Sequence, residues 1–171
     1  MKAKIIFTVM LMSLMGISQN LKAQHEKTQA AIIYQLTRLV DWCPTGKQGN
    51  FIIGVLCDEH NLLNELYALN GRMVSSQKIE VKKFTNINQV RTANILFVSN
   101  TKTCDLPKII TEIGNGCTLI IADKEGAAKE GAAISFIQKD GQLKFEFSSV
   151  YAEKHSLSIN NKILDLAENV F

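Results

Sequence analysis

Proline is nearly missing from this chain. Only Pro44 and Pro107 occur in 171 residues, and no Pro/Ser-rich stretch divides the sequence, so nothing marks a linker between two domains. Heptads and solenoid periods are absent as well; the one echo, Glu-Gly-Ala-Ala at 125–128 and again at 130–133, is too short to be an architectural repeat. The usual catalytic signatures are also lacking. Gly46 with Gly49, and Gly114 with Gly116, fit no phosphate-cradling loop, dinucleotide fingerprint or nucleophile elbow. No Cys-x-x-Cys or His-Glu-x-x-His spacing offers a metal site. These absences lead to an expectation of a protein that binds rather than catalyses, with no metal and no cofactor.

Long apolar runs are scarce too. The uncharged stretch from Ile5 to Ile17 falls short of the roughly 20 residues that span a bilayer. Lys2 and Lys4 precede it and Leu21-Lys22-Ala23 follows it, the layout of an export signal cleaved after Ala23. Cleavage would remove Lys2, Lys4 and Lys22, taking 19 basic residues down to 16 against 16 acidic ones. A neutral, exported chain gives no support for a nucleic-acid partner. Met73 would be the only methionine left, so no methionine-rich metal or helix-binding surface remains. Residues 24–171 are expected to form a single domain of ordinary size, able to bury a core without staples.

What is present alternates between strand and helix. Residues 27–41 place Ile32, Leu36, Leu39 and Val40 on one helical face, and the helix should end before Pro44. Phe51 to Cys57 is a continuous apolar run, the pattern of a strand buried on both faces of a parallel sheet. Asp58 is positioned to cap a helix over 59–69, closed by Asn70-Gly71. Ile79 to Phe84, Ile95 to Val98 and Thr118 to Ala122 supply further strands. A helical turn is predicted near 88–92, and a helix over Leu106 to Ile113 ends at Gly114. Strands at 133–138 and 142–147 then join around Asp140-Gly141, a hairpin dipeptide. A last helix, with Ile159, Ile163, Leu166, Ala167 and Val170 at helical spacing and Asn160 or Asn161 as its cap, is expected to cover the sheet. The sum is an α/β three-layer sandwich, a mainly parallel sheet with an antiparallel C-terminal hairpin at its edge.

In order and spacing, these segments resemble the YfiR family of periplasmic regulatory proteins across Lys27 to Val170. The resemblance rests on Tyr34, Val40 and Trp42 in the first helix, on FIIGVLCDEH, and on ANILFVSN at 93–100. It continues through Gly131 to Phe136, DGQLKFEF at 140–147, and LSINNKILDLAENV at 157–170. Two departures stand out: Cys43 separates Trp42 from Pro44, and Ser148 follows the hairpin where an asparagine is common. The resemblance implies a periplasmic regulator that holds an inner-membrane signalling protein inactive, typically a diguanylate cyclase producing cyclic-di-GMP, and that acts as a homodimer. A small-ligand receptor of the same compartment is the competing expectation.

Individual residues sharpen these readings. Cys43, Cys57, Cys104 and Cys117 permit three complete pairings in an oxidising compartment. Cys57 and Cys104 both follow carboxyl ends of strands, and Cys43 and Cys117 both lie toward the opposite rim; Cys57–Cys104 is the favoured bridge, with buried free thiols as its alternative. Asp58, Glu59, His60 and Asn61 follow the first buried strand and Asn100 follows the third, where ligands enter open α/β sheets, so these five form the candidate pocket. Tyr34 and Trp42 fall on one side of the first helix and are candidate anchors for a partner or a second copy. His25 and His155 stand alone in the sequence and are expected to be exposed or satisfied by neighbours.

Overall fold

A computed structural model describes residues 24–58 and 61–171. The expected export signal at 1–23, and Glu59 and His60, lie outside the described residues. In chain order the regular elements are α1 (24–39), β1 (Val40–Asp41), β2 (Phe51–Leu56), α2 (Leu62–Tyr67), β3 (Met73–Val74), β4 (Gln77–Phe84) and β5 (Ile95–Val98). They continue with α3 (Leu106–Ile113), β6 (Leu119–Ala122), β7 (Ile134–Lys139), β8 (Gln142–Phe147), α4 (Ser149–Lys154), β9 (Ser158–Ile159), α5 (Asn161–Leu166) and β10 (Asn169–Val170). Short 3-10 turns occur at Pro44–Lys47, Ile87–Thr92 and Asn100–Asp105.

The apolar runs become the centre of one sheet, ordered β10-β8-β7-β6-β5-β2-β4-β3. Strands β4, β2, β5, β6 and β7 are mutually parallel, while β8 returns antiparallel to β7 and β3 lies antiparallel to β4. Every residue of β5 and β6 is buried, as an uninterrupted apolar strand flanked by other strands and covered on both faces must be. From β2 the chain steps to β4 on one side and then crosses back to β5 on the other. Right-handed crossovers therefore set α2 on one face, and the 87–92 turn and α3 on the other. The fold is the expected α/β arrangement, with a mainly parallel sheet and an antiparallel hairpin toward one end. The hairpin turns at Asp140 and Gly141, whose φ values of 52° and 73° are those of a type I′ turn.

Four expectations about elements are revised. The first helix stops at 39, because Val40–Asp41 leaves it to pair antiparallel with β9, Val40 facing Ile159. Asp58 does not cap α2. That helix starts at Leu62 behind Asn61, and Asp58 instead forms an ion pair with Lys102 at 2.8 Å. The C-terminal segment is not one helix: α5 ends at Leu166, and Asn169–Val170 adds a parallel strand beside β8. Of α5 only Ile163 is buried, so this helix covers little of the sheet. Its start is as expected, with the Asn160 side chain accepting from the Lys162 N–H at 3.0 Å. Helix α4 is an addition that the spacing did not suggest, since only Tyr151 and Ala152 of it face inward.

Candidate functional site

In a doubly wound sheet the natural ligand crevice opens at the carboxyl ends of the strands where the chain reverses its direction of winding. Here that point lies between β2 and β5. Cys57 and Asp58 leave β2 there, Ser99 and Asn100 leave β5, and Asp123 leaves β6. The first turns of α1 come down on the same rim. Glu26 is 7% exposed and Gln29 fully buried, side chains one helical turn apart on a single face. Asn61 Nδ2 donates to Glu26 Oε1 at 3.2 Å, and Gln29 Nε2 donates to Asp123 Oδ1 at 3.0 Å. The protein's own polar side chains therefore meet at this rim, where Gln29 Oε1 is buried without a hydrogen-bond partner among the described residues.

The described residues of the predicted pocket, Asp58, Asn61 and Asn100, each have contacts within the protein. Asp58 is exposed, its carboxylate held by Lys102 and its carbonyl oxygen accepting from Lys83 Nζ. Asn61 is drawn to Glu26, and Asn100 is exposed with its carbonyl oxygen accepting from Thr103 Oγ1 at 2.8 Å. Glu59 and His60 lie outside the described residues. Among the described residues no group of three His, Cys, Asp or Glu side chains is close enough to hold a metal ion. The Asp58 carboxylate raises the Lys102 ammonium above its ordinary pKa. Burial pushes the Cys57 thiol up, partly offset by the nearby Lys83 ammonium.

The cysteines pair differently from the favoured reading. Cys43 and Cys117 form a disulfide with Cα atoms 6.1 Å apart, an ordinary span for such a bond. Their shared rim was legible, and that rim decides the pairing: Cys43 opens the 3-10 turn after β1, and Cys117 stands two residues before β6. Cys57 and Cys104 are free thiols. Cys57 is buried in the core at 1% exposure, while Cys104 is exposed on the 100–105 turn, so the two sulfurs do not form a bridge.

The two aromatic candidates separate. Trp42 is 5% exposed, its ring edge-on to Phe51 and its indole N–H donating to the Thr37 carbonyl at 3.3 Å. It is a core residue, because the chain turns inward after α1 instead of extending the helix past it. Tyr34 stays half-buried, with the Arg38 guanidinium 4.6 Å and the Arg72 guanidinium 5.5 Å from its ring centroid. Arg38 Nη2 also donates to the Tyr34 hydroxyl at 2.5 Å. Arg38 lies one turn beyond Tyr34 on α1 and was readable as its neighbour; Arg72, from the loop before β3, was not. Neither arginine has a carboxylate partner among the described residues. His155 is buried at 2% exposure, stacked on Tyr151 with ring centroids 4.1 Å apart. His25 is exposed and meets Gln138 at 2.8 Å.

Comparison with known proteins agrees with this fold. A crystal structure of the ABC domain in complex with L-Trp from Streptococcus pneumonia superposes with a TM-score of 0.57 at 11% identity. The match covers 86% of this chain and 60% of that one. At that identity the likeness is one of fold alone. No curated protein matches the chain. Among the described residues no helix is long and apolar enough to cross a membrane. The model of the YfiR/HmsC-like family matches residues 26–168, so the chain belongs to the YfiR/HmsC-like family.

Proposed function

We propose that this protein is exported to the periplasm, is released from its signal after Ala23, and represses an inner-membrane signalling protein, a diguanylate cyclase, by binding its periplasmic domain. The observation that carries this reading is the family match over nearly the whole described chain. Docking can shift the cyclase only by the difference in affinity for its active and inactive states, and holding it at 1:99 against an intrinsic 99:1 needs about a 10⁴-fold difference.

The docking surface we assign is the Tyr34, Arg38 and Arg72 platform. Tyrosine and arginine are the side chains that interfaces favour, and two guanidiniums without carboxylate partners among the described residues suit an acidic face on the partner. The protein acts as a homodimer in this reading.

The test is recovery from membranes. A tagged mature protein should co-purify with one inner-membrane protein bearing a cytoplasmic cyclase domain, and deleting the gene of the exported repressor should raise cellular cyclic-di-GMP. Sedimentation equilibrium should give twice the chain mass. Unchanged cyclic-di-GMP together with an empty pull-down would overturn the reading.

A further inference from the structure

We propose a ligand site on the opposite flank of the fold, one that takes a small monocarboxylate with an aliphatic body. A cleft of about 440 Å³ lies between α3, the 126–131 loop and α4. Ile110, Val150, Tyr151 and Phe171 give it apolar walls. The loop reaches α3 closely because residue 131 is glycine: its φ is +104°, and a Cβ there would lie 2.7 Å from Ile110 Cδ1. The floor is rigid. Tyr151 stacks on His155 and anchors its hydroxyl on the Thr118 carbonyl at 2.7 Å, while His155 Nδ1 meets the Gly116 carbonyl at 3.0 Å. His155 Nε2 is one of two buried side-chain polar atoms without a partner among the described residues.

The charge at the mouth selects the ligand class. Lys129 and Lys154 both line the cleft, and both are exposed. Lys129 Nζ sits 4.4 Å from the centroid of the Phe171 ring, and neither lysine forms an ion pair among the described residues. Glu130, beside Lys129, is held by Lys124 at 2.6 Å and so does not neutralise the mouth. The Phe171 main-chain oxygen accepts from the Ser149 N–H at 2.8 Å and hydroxyl at 2.6 Å, and Phe171 lines the cleft. Apolar walls under two ammonium groups that form no ion pair among the described residues match an aliphatic chain ending in a carboxylate. Neutral or cationic amphiphiles of the same length satisfy only the walls.

This inference stands apart from the regulatory reading and survives its failure. The experiment is calorimetric titration of the mature, oxidised protein with hexanoate, octanoate and decanoate, and with decanol and decyltrimethylammonium as head-group controls. Saturable one-to-one binding is expected, tightening severalfold with each pair of methylenes as more chain is buried. Decanoate should bind at least about tenfold tighter than either control at low salt, where unscreened charges count most. Val150→Asp places a carboxylate on a wall residue that is 68% exposed, so folding is preserved and decanoate binding should be lost. Lys129→Gln with Lys154→Gln should remove the preference for the carboxylate while leaving decanol unchanged. Absence of saturable decanoate binding, equal affinity for the three head groups, or indifference to both variants would each overturn the proposal. So would association with anionic lipid vesicles in the absence of monomeric decanoate binding, because the lysines would then read a surface.

Discussion

Trp42 packs edge-on against Phe51, ring centroids 5.1 Å apart and planes inclined at 77°, where the chain leaves the first helix and enters the sheet. The contact ties α1 to the start of β2, and both rings are buried. Removing an indole from such a position takes away its burial and leaves a cavity, so Trp42→Ala is expected to cost about 3–5 kcal/mol. Urea unfolding of the variant should show the midpoint falling by that amount with little change in slope. A variant of unaltered stability would return Trp42 to the role of surface anchor.

The Cys43–Cys117 bridge closes a loop with a sequence separation of 74 residues. In the chain-entropy description, a loop of that size stabilises the fold by about 4 kcal/mol. Cys43→Ser with Cys117→Ser should therefore lower the unfolding free energy by up to that amount. Non-reducing peptide mapping should join the peptides of Cys43 and Cys117. In the native protein Cys104 should alkylate readily, whereas Cys57, at 1% exposure, should react only after unfolding. A mapped Cys57–Cys104 bridge would contradict the pairing.

The elements most legible in the sequence were those whose causes are local. Ile95–Val98 and Leu106–Ile113 have the bounds that an unbroken apolar run and a helix-ending Gly114 imply, and Asp140-Gly141 takes the positive φ values its turn demands. The elements that escaped are made by distant partners. Val40–Asp41 and Asn169–Val170 are two-residue strands whose identity depends on Ser158–Ile159 and on β8, and helical spacing alone merged each with its neighbouring helix. The contacts at the carboxyl rim were hidden from the sequence for the same reason. That Asn61 turns to Glu26, across 35 residues, and Gln29 to Asp123, across 94, is a property of how α1 seats on the rim. No spacing within either segment carries that information.

Gly54 sits in the middle of β2 beneath the ring of Phe84, where a Cβ would come within 2.2 Å of Phe84 Cε2. Both residues are buried between strands, so the ring has little room to withdraw. Gly54→Ala is expected to destabilise by about 1–3 kcal/mol through overpacking. Phe84→Leu made in the Gly54→Ala background should recover part of that loss, giving a favourable interaction energy in a double-mutant cycle. Strict additivity of the two changes would show that the close approach does not govern the cost.

Stability should fall on the alkaline side, and in two stages. Burial raises the Cys57 thiol above its ordinary 9.0, and burial raises the Tyr151 phenol above its ordinary 10.0. Each group keeps its proton more tightly folded than unfolded. Its contribution is therefore complete below the unfolded pKa and is lost as pH rises toward the folded one. Chemical denaturation with the disulfide intact should show stability declining from about pH 9, where an unfolded thiol ionises, and more steeply above about pH 10. Cys57→Ala should remove the first stage and leave the second. A flat profile between pH 8 and 11 would show that neither group is linked to folding.

The Tyr34 platform yields the most direct check on docking, because it separates binding from folding. Arg38 and Arg72 are exposed and approach the Tyr34 ring from α1 and from the loop before β3, so they hold a surface rather than a core. An exposed cation–aromatic contact contributes only about 0.5–1 kcal/mol to stability. Arg38→Ala with Arg72→Ala should accordingly shift the melting temperature by no more than a few degrees. If the guanidiniums meet an acidic partner face, the same pair of changes should weaken co-purification of the membrane protein at least tenfold and raise cyclic-di-GMP in cells. Lysine at both positions keeps the charge but not the planar stacking, so it should rescue the salt-sensitive part of association and not the whole. Wild-type recovery of the partner by the double alanine variant would move the docking surface elsewhere on the molecule.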